Sequence, residues 1–118
     1  MQHHVKQRTL GRTRRGRTAL LRGLAQELIT KGKIKTTEAK AKELRPFVER
    51  LITTAKTDAV ATRRRVASTL GEPKDAVIKQ LFTDVAPRFA ERNGGYTRII
   101  KLGRTPAGRD EAVIEFVA

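Results

Sequence analysis

The chain has 118 residues, no cysteine, and a formal net charge of +14 at pH 7, with a sequence pI of about 11.3. That length suits one domain with a modest core. The missing cysteine excludes disulfides, thiol chemistry and Cys-ligated zinc or iron–sulfur centres, and the charge points to a polyanionic partner, nucleic acid first.

Residues 1–17 carry Lys6, Arg8, Arg12, Arg14, Arg15 and Arg17, and no acid precedes Glu27. Only Val5 and Leu10 offer apolar surface worth counting. With so little to bury, the segment is expected to be a flexible basic RNA-binding arm when free, ahead of a single domain over 18–118. A merely solubilising tail is the plainer reading. Unmixed positive charge and the planar fork of arginine, which matches phosphate bidentately, favour phosphate binding. No apolar run reaches the length of a membrane span. The start, Met1 to Lys6, lacks the apolar stretch of a secretory signal, and Arg12 to Arg17 lacks the apolar face of a mitochondrial presequence.

Leu20, Leu21, Leu24, Leu28 and Ile29 predict a helix with one apolar stripe, capped by Thr18 and ended by Gly32. Arg22 and Gln26 lie off that stripe. Lys33-Ile34-Lys35-Thr36 alternates and reads as an edge strand with its lysines outward. Thr37 then caps a second helix with Glu38 in its first turn, where it suits the helix dipole. Ala41, Leu44, Val48, Leu51, Ile52 and Ala55 share one face of that helix. Pro46 interrupts the pattern without breaking the stripe, so a kinked but continuous helix is expected.

Asp58 is expected to cap a third helix reaching Leu70, with Arg63-Arg64-Arg65 fanned around it. Pro73 suits the first turn of a fourth, in which Val77, Ile78, Leu81, Phe82 and Val85 form the apolar face and Pro87 is the stop. After Gly94-Gly95, residues 96–102 and 112–117 read as two strands of a hairpin with a long loop over 103–111, and the Ile34 strand is placed at its edge. The expected fold is α+β: about four helices packed with a small, mostly antiparallel sheet of two to three strands, plus the basic N-terminal arm.

Nothing in the chain assembles catalytic chemistry. His3 and His4 are the two histidines, adjacent on the arm, with no further Cys or His to complete a metal site. Ser68, inside a predicted helix, would need one of them for a triad. Asp110-Glu111 is a pair by adjacency only, and Gly94-Gly95 lacks the helix and lysine of a phosphate loop. No cofactor, metal, membrane or small-molecule substrate is expected. Tyr96 is the only tyrosine and tryptophan is absent, which disfavours a reader built on stacked aromatics. Basic residues spread over arm, helices and hairpin fit a body embedded in folded RNA better than one recognition helix on duplex DNA.

Specific strings then carry a resemblance. The start, Met1-Gln2-His3-His4-Val5-Lys6-Gln7-Arg8-Thr9-Leu10-Gly11-Arg12, resembles the opening of the L-seventeen family of bacterial large-subunit ribosomal proteins. Ile34-Lys35-Thr36-Thr37 followed by Lys40-Ala41-Lys42-Glu43-Leu44-Arg45, and then Leu51-Ile52-Thr53-Thr54-Ala55-Lys56, are similar to its central stretch. Pro87-Arg88-Phe89 leading to Gly94-Gly95-Tyr96-Thr97-Arg98-Ile99 is the most specific match, and Ile114-Glu115-Phe116-Val117 resembles the closing strand. Gln2 and Thr9 stand where the family more often carries arginine and lysine.

The resemblance implies a cytoplasmic, non-catalytic constituent of the large ribosomal subunit. Its partners would be large-subunit rRNA and neighbouring ribosomal proteins near the nascent-chain exit region. The residues expected to contact RNA are Arg8, Arg12, Arg14, Arg15, Arg17, Lys33, Lys35, Lys40, Lys42, Tyr96, Arg98 and Lys101. The rivals are a DNA-binding architectural protein, which would be expected to dimerise, and an enzyme acting on RNA.

Overall fold

The hydroxyl of Thr13 accepts the backbone N–H of Gly16 at 3.2 Å and opens the first helix of the computed structural model, which describes residues 13–117. That helix, α1, spans Arg14–Lys31. It therefore starts four residues before the expected cap. Thr18 is inside it, with its hydroxyl turned back onto the Arg14 carbonyl at 3.0 Å. Arg14, Arg15 and Arg17, assigned above to a flexible arm, belong to the first turn of α1. A Thr cap is enough to start a helix ahead of its apolar stripe. Gly32 ends it in the left-handed region at φ 84°, its N–H on the Leu28 carbonyl.

β1 follows at Lys33–Thr37 and leads directly into α2, Glu38–Ala55, whose cap is Thr37 as the sequence predicts. α2 runs unbroken through Pro46, because Leu44, Val48, Leu51 and Ile52 hold both halves against the core. α3 spans Val60–Thr69. Asp58 does not cap it. Ala59 occupies the cap position, its N–H taken by the Thr62 hydroxyl, while Asp58 grips Arg63 through two hydrogen bonds of 2.6 and 3.0 Å.

α4 is composite. It opens as Asp75–Gln80, with Pro73 just outside rather than in its first turn, widens into a π-helical turn at Leu81–Val85 and closes with an α turn at Ala86–Arg88. Pro87 does not stop the helix. Its ring would collide with the Thr83 carbonyl in an α ladder, and it has no N–H to give. Instead the Ala86 N–H reaches the Leu81 carbonyl, five residues back, and the widened turn accommodates the ring.

β2, Thr97–Arg104, and β3, Asp110–Phe116, make the hairpin, and both strands run further than the sequence suggests. The loop shrinks to Thr105–Arg109, closed by Thr105 and Arg109 at 2.8 Å. Gly103, read as loop, lies in β2 at φ 93° beside a register shift, a bulge position that glycine fits. The sheet order is β1-β3-β2, antiparallel throughout. Ile34, Ile114 and Ile99 align across the three strands and face α2. Leu28, Ile29, Leu44, Ile52, Leu81, Val85, Phe89 and Ile114 join one cluster between helices and sheet. Each such side chain contributes about 1.5–3 kcal/mol on burial.

Candidate nucleic-acid interface

Alternation along the strands sorts their charges. With Ile34 and Ile99 turned inward, Lys33, Lys35, Arg98 and Ile100 project from the opposite, open face. Pairing then lines up Lys33, Glu115 and Arg98 in one row, and Lys35, Val113 and Ile100 in the next. Arg98 reaches a single oxygen of Glu115 from Nε and Nη2, at 2.9 and 2.7 Å, and Lys35 lies 3.5 Å from Glu111. The first row sets two cations beside one acid, so Lys33 adds charge that Glu115, already held by Arg98, does not cancel. Ile100 and Leu102 are exposed beside them.

A second group forms where α2 begins. Glu38 accepts Lys42 at 2.7 Å and Lys101 at 3.5 Å, drawing β2 to the helix start. The hydrogen bond from Lys42 is the main reason that the Glu38 carboxyl is held below its usual range, with the charge of Lys101 adding to it against partial desolvation. Lys40, two residues along α2 from Glu38 and so on another side of the helix, is half-buried, and its backbone N–H is bound to the Thr37 hydroxyl at 3.3 Å.

A third group is the start of α1. Arg14 and Arg15 are exposed and no acid occupies the first turn. Cations at a helix N-terminus oppose the dipole, so this end is poised for an anion. Arg17 is half-buried and engaged. Arg8 and Arg12 lie outside the described residues.

Tyr96 is not at the surface. Only 2% of it is exposed, and its ring lies 5.1 Å from that of Phe89. Lys56 sits over the Tyr96 ring at 4.7 Å and also donates to the Arg92 carbonyl, while the Tyr96 hydroxyl shares a 3.3 Å hydrogen bond with Thr53. Lys56 first, then Thr53, hold the phenol below its usual range. The tyrosine ties the hairpin to α2 and has no open face for a base, so it leaves the expected RNA-contact set.

The fold also presents cations that lie outside the expected RNA-contact set. Arg50 on α2 and Arg64 and Arg65 on α3 are exposed and make no ion pair among the described residues. Their spacing gave no signal, since a charged helix face has the same pattern whether it meets water or RNA. Among the described residues no group of His, Cys, Asp or Glu could hold a metal, and no helix is long and apolar enough to cross a membrane.

The sequence matches the family described as Ribosomal protein L17 over residues 20–117. It is 55% identical to the large ribosomal subunit protein bL17 of Hydrogenobaculum sp. (strain Y04AAS1), covering 99% of both chains. It is 56% identical to that of Exiguobacterium sp. (strain ATCC BAA-1283 / AT1b), over 92% of this chain and 96% of the relative. With bL17 of Gemmatimonas aurantiaca the identity is 49%, over 99% of this chain and 98% of the other. A match of this extent, with the family's strings in the order seen in the sequence, means that the chain belongs to the ribosomal protein L17 family.

Proposed function

We propose that the chain is a structural, non-catalytic constituent of the large ribosomal subunit that pins folded rRNA by phosphate contacts. It works in the cytoplasm, within the ribosome, with rRNA and neighbouring large-subunit proteins as partners near the nascent-chain exit region. Membership of the family supports the role in the large subunit. The observation that carries the rRNA mechanism is the placement of Arg14, Arg15, Lys33, Lys35 and Arg98 on exposed surface from three separate elements. A body charged on several sides can neutralise several backbone segments at once, which is how RNA strands that repel each other are held together.

Lys40, Lys42 and Lys101 form a further contact at the start of α2, and Arg8 and Arg12 extend the set beyond α1. Glu38 and Glu115 do not weaken this reading. Each orients a cation in the free protein, and phosphate can compete for that cation because the lysine and arginine partners lie at the surface, where ion pairs are weak. The DNA-binding alternative is not favoured, since the relatives are ribosomal proteins. Co-sedimentation tests the proposal. The tagged chain should travel with large subunits and survive a high-salt wash, whereas recovery only in the free fraction would contradict it.

A further inference from the structure

Phe47, Arg50, Leu51 and Thr54 fall at i, i+3, i+4 and i+7 of α2, one strip along the helix. Arg65, Val66 and Thr69 of α3 face them, and the two strips bound an open groove of about 260 Å³. Its floor is apolar and buried, made by Leu51 and Val66. Phe47 is a half-buried wall, and Arg50 and Arg65 are exposed rims without an ion pair among the described residues. Thr54 and Thr69 add hydroxyls.

An aromatic ring, an apolar floor, two hydroxyls and two uncompensated guanidinium groups make a set that suits a nucleotide. The ring offers a face to a base, the hydroxyls can meet base edges or a 2′-hydroxyl, and the guanidinium forks match phosphate. An apolar protein anchor would fill the floor and leave both arginines without a partner. We infer that the groove between α2 and α3 seats one unpaired RNA nucleotide, its base against Phe47 and its flanking phosphates on Arg50 and Arg65. The inference rests on the rRNA reading above and adds a base contact on elements other than the sheet's cationic rows.

Two measurements test it. First, a photoreactive benzoyl-phenylalanine at position 69, on the groove rim, should give an rRNA adduct in assembled large subunits. A protein adduct, or no adduct, overturns the inference. Second, the full chain should quench 2-aminopurine placed in a short single-stranded oligouridine. Phe47→Leu keeps apolar packing and removes the ring. It should abolish the quenching and weaken binding roughly fivefold or more. Arg50→Gln with Arg65→Gln should lower the salt slope by about 1.4. Arg14→Gln with Arg15→Gln should weaken binding while leaving the quenching in place. Unchanged quenching in Phe47→Leu overturns the groove assignment even if the chain binds large-subunit rRNA. Failure to bind rRNA at all overturns the broader reading with it.

Discussion

The Glu49 carboxylate on α2 accepts both the backbone N–H and the hydroxyl of Thr97, at 3.2 and 2.9 Å. Thr97 is the first residue of β2 and is almost fully buried, so this one side chain supplies the partner for a donor that water cannot reach. Arg45 approaches the same carboxylate at 3.5 Å. Glu49→Ala should therefore cost about 1–3 kcal/mol, the penalty of leaving a buried donor unsatisfied. Chemical denaturation checks this. Thr97→Val, which removes only the hydroxyl, should cost less, and equal losses for the two variants would contradict the account.

Arg22 and Gln26 terminate a helix that is not their own. Arg22 Nε donates to the Thr69 carbonyl and Gln26 Nε2 to the Leu70 carbonyl, each at 2.9 Å, at the end of α3. Those carbonyls are among the orphan acceptors of a helix C-terminus. Arg22→Ala and Gln26→Ala should each lower stability by about 0.5–1.5 kcal/mol. Gly71→Ala should also destabilise, since its φ is 78° and a Cβ would stand 3.0 Å from Arg22 Cδ. Thermal denaturation of the three variants decides the matter, and wild-type stability in all of them would refute the capping role.

Acid should weaken the body in a defined window. Glu38 is held low mainly by the hydrogen bond from Lys42, and Asp58 mainly by that from Arg63. A carboxyl whose folded pKa is depressed stabilises the fold above its unfolded pKa, and that contribution vanishes as pH falls through the folded value. Comparing the chain with a Glu38→Gln, Asp58→Asn variant should show a small stability gap at pH 7. The gap should close below about pH 4. A gap that persists unchanged at low pH would mean that charge is not its source.

Much of this architecture was readable because strands and helices show their periods. Ile34 between two lysines predicts β1 and its inward face, the apolar run over 112–117 predicts a second strand, and the stripe of α2 continues across Pro46. What escaped was decided by partners distant in sequence. Nothing near Arg22 tells that Thr69 will lie beside it, and nothing near Tyr96 tells that Phe89 and Lys56 will enclose it. Pro87 reads as a stop in the sequence because a local rule cannot foresee that a π turn absorbs the ring. The Thr13 cap was visible as a residue type, but the apolar stripe drew the boundary to Thr18 instead. The cations divide the same way. Their presence was legible, yet whether each is paired, as Arg98 is with Glu115, or open, as Arg50 is, depends on the fold.

The position of Thr13 sharpens one truncation. Removing residues through Arg17 would take the cap and first turn of α1 with them, so loss of stability there would say nothing about the arm. Removing residues 1–12 deletes Lys6, Arg8 and Arg12 and leaves the cap. This shorter chain should melt within a few degrees of the full one while binding rRNA more weakly. Unfolding would show that residues 1–12 contribute to the core, and undiminished binding would show that they contribute nothing to RNA affinity.

Phosphate contacts from several elements are proposed to hold the chain on rRNA. Affinity for a large-subunit rRNA fragment, measured across a salt titration, tests this proposal most directly. Log K should fall linearly with log salt, with a slope of roughly −0.9 for each duplex phosphate neutralised. Neutralising Lys33, Lys35 and Arg98 together should make that slope shallower. A flat salt dependence, or a slope unmoved by those substitutions, would contradict it.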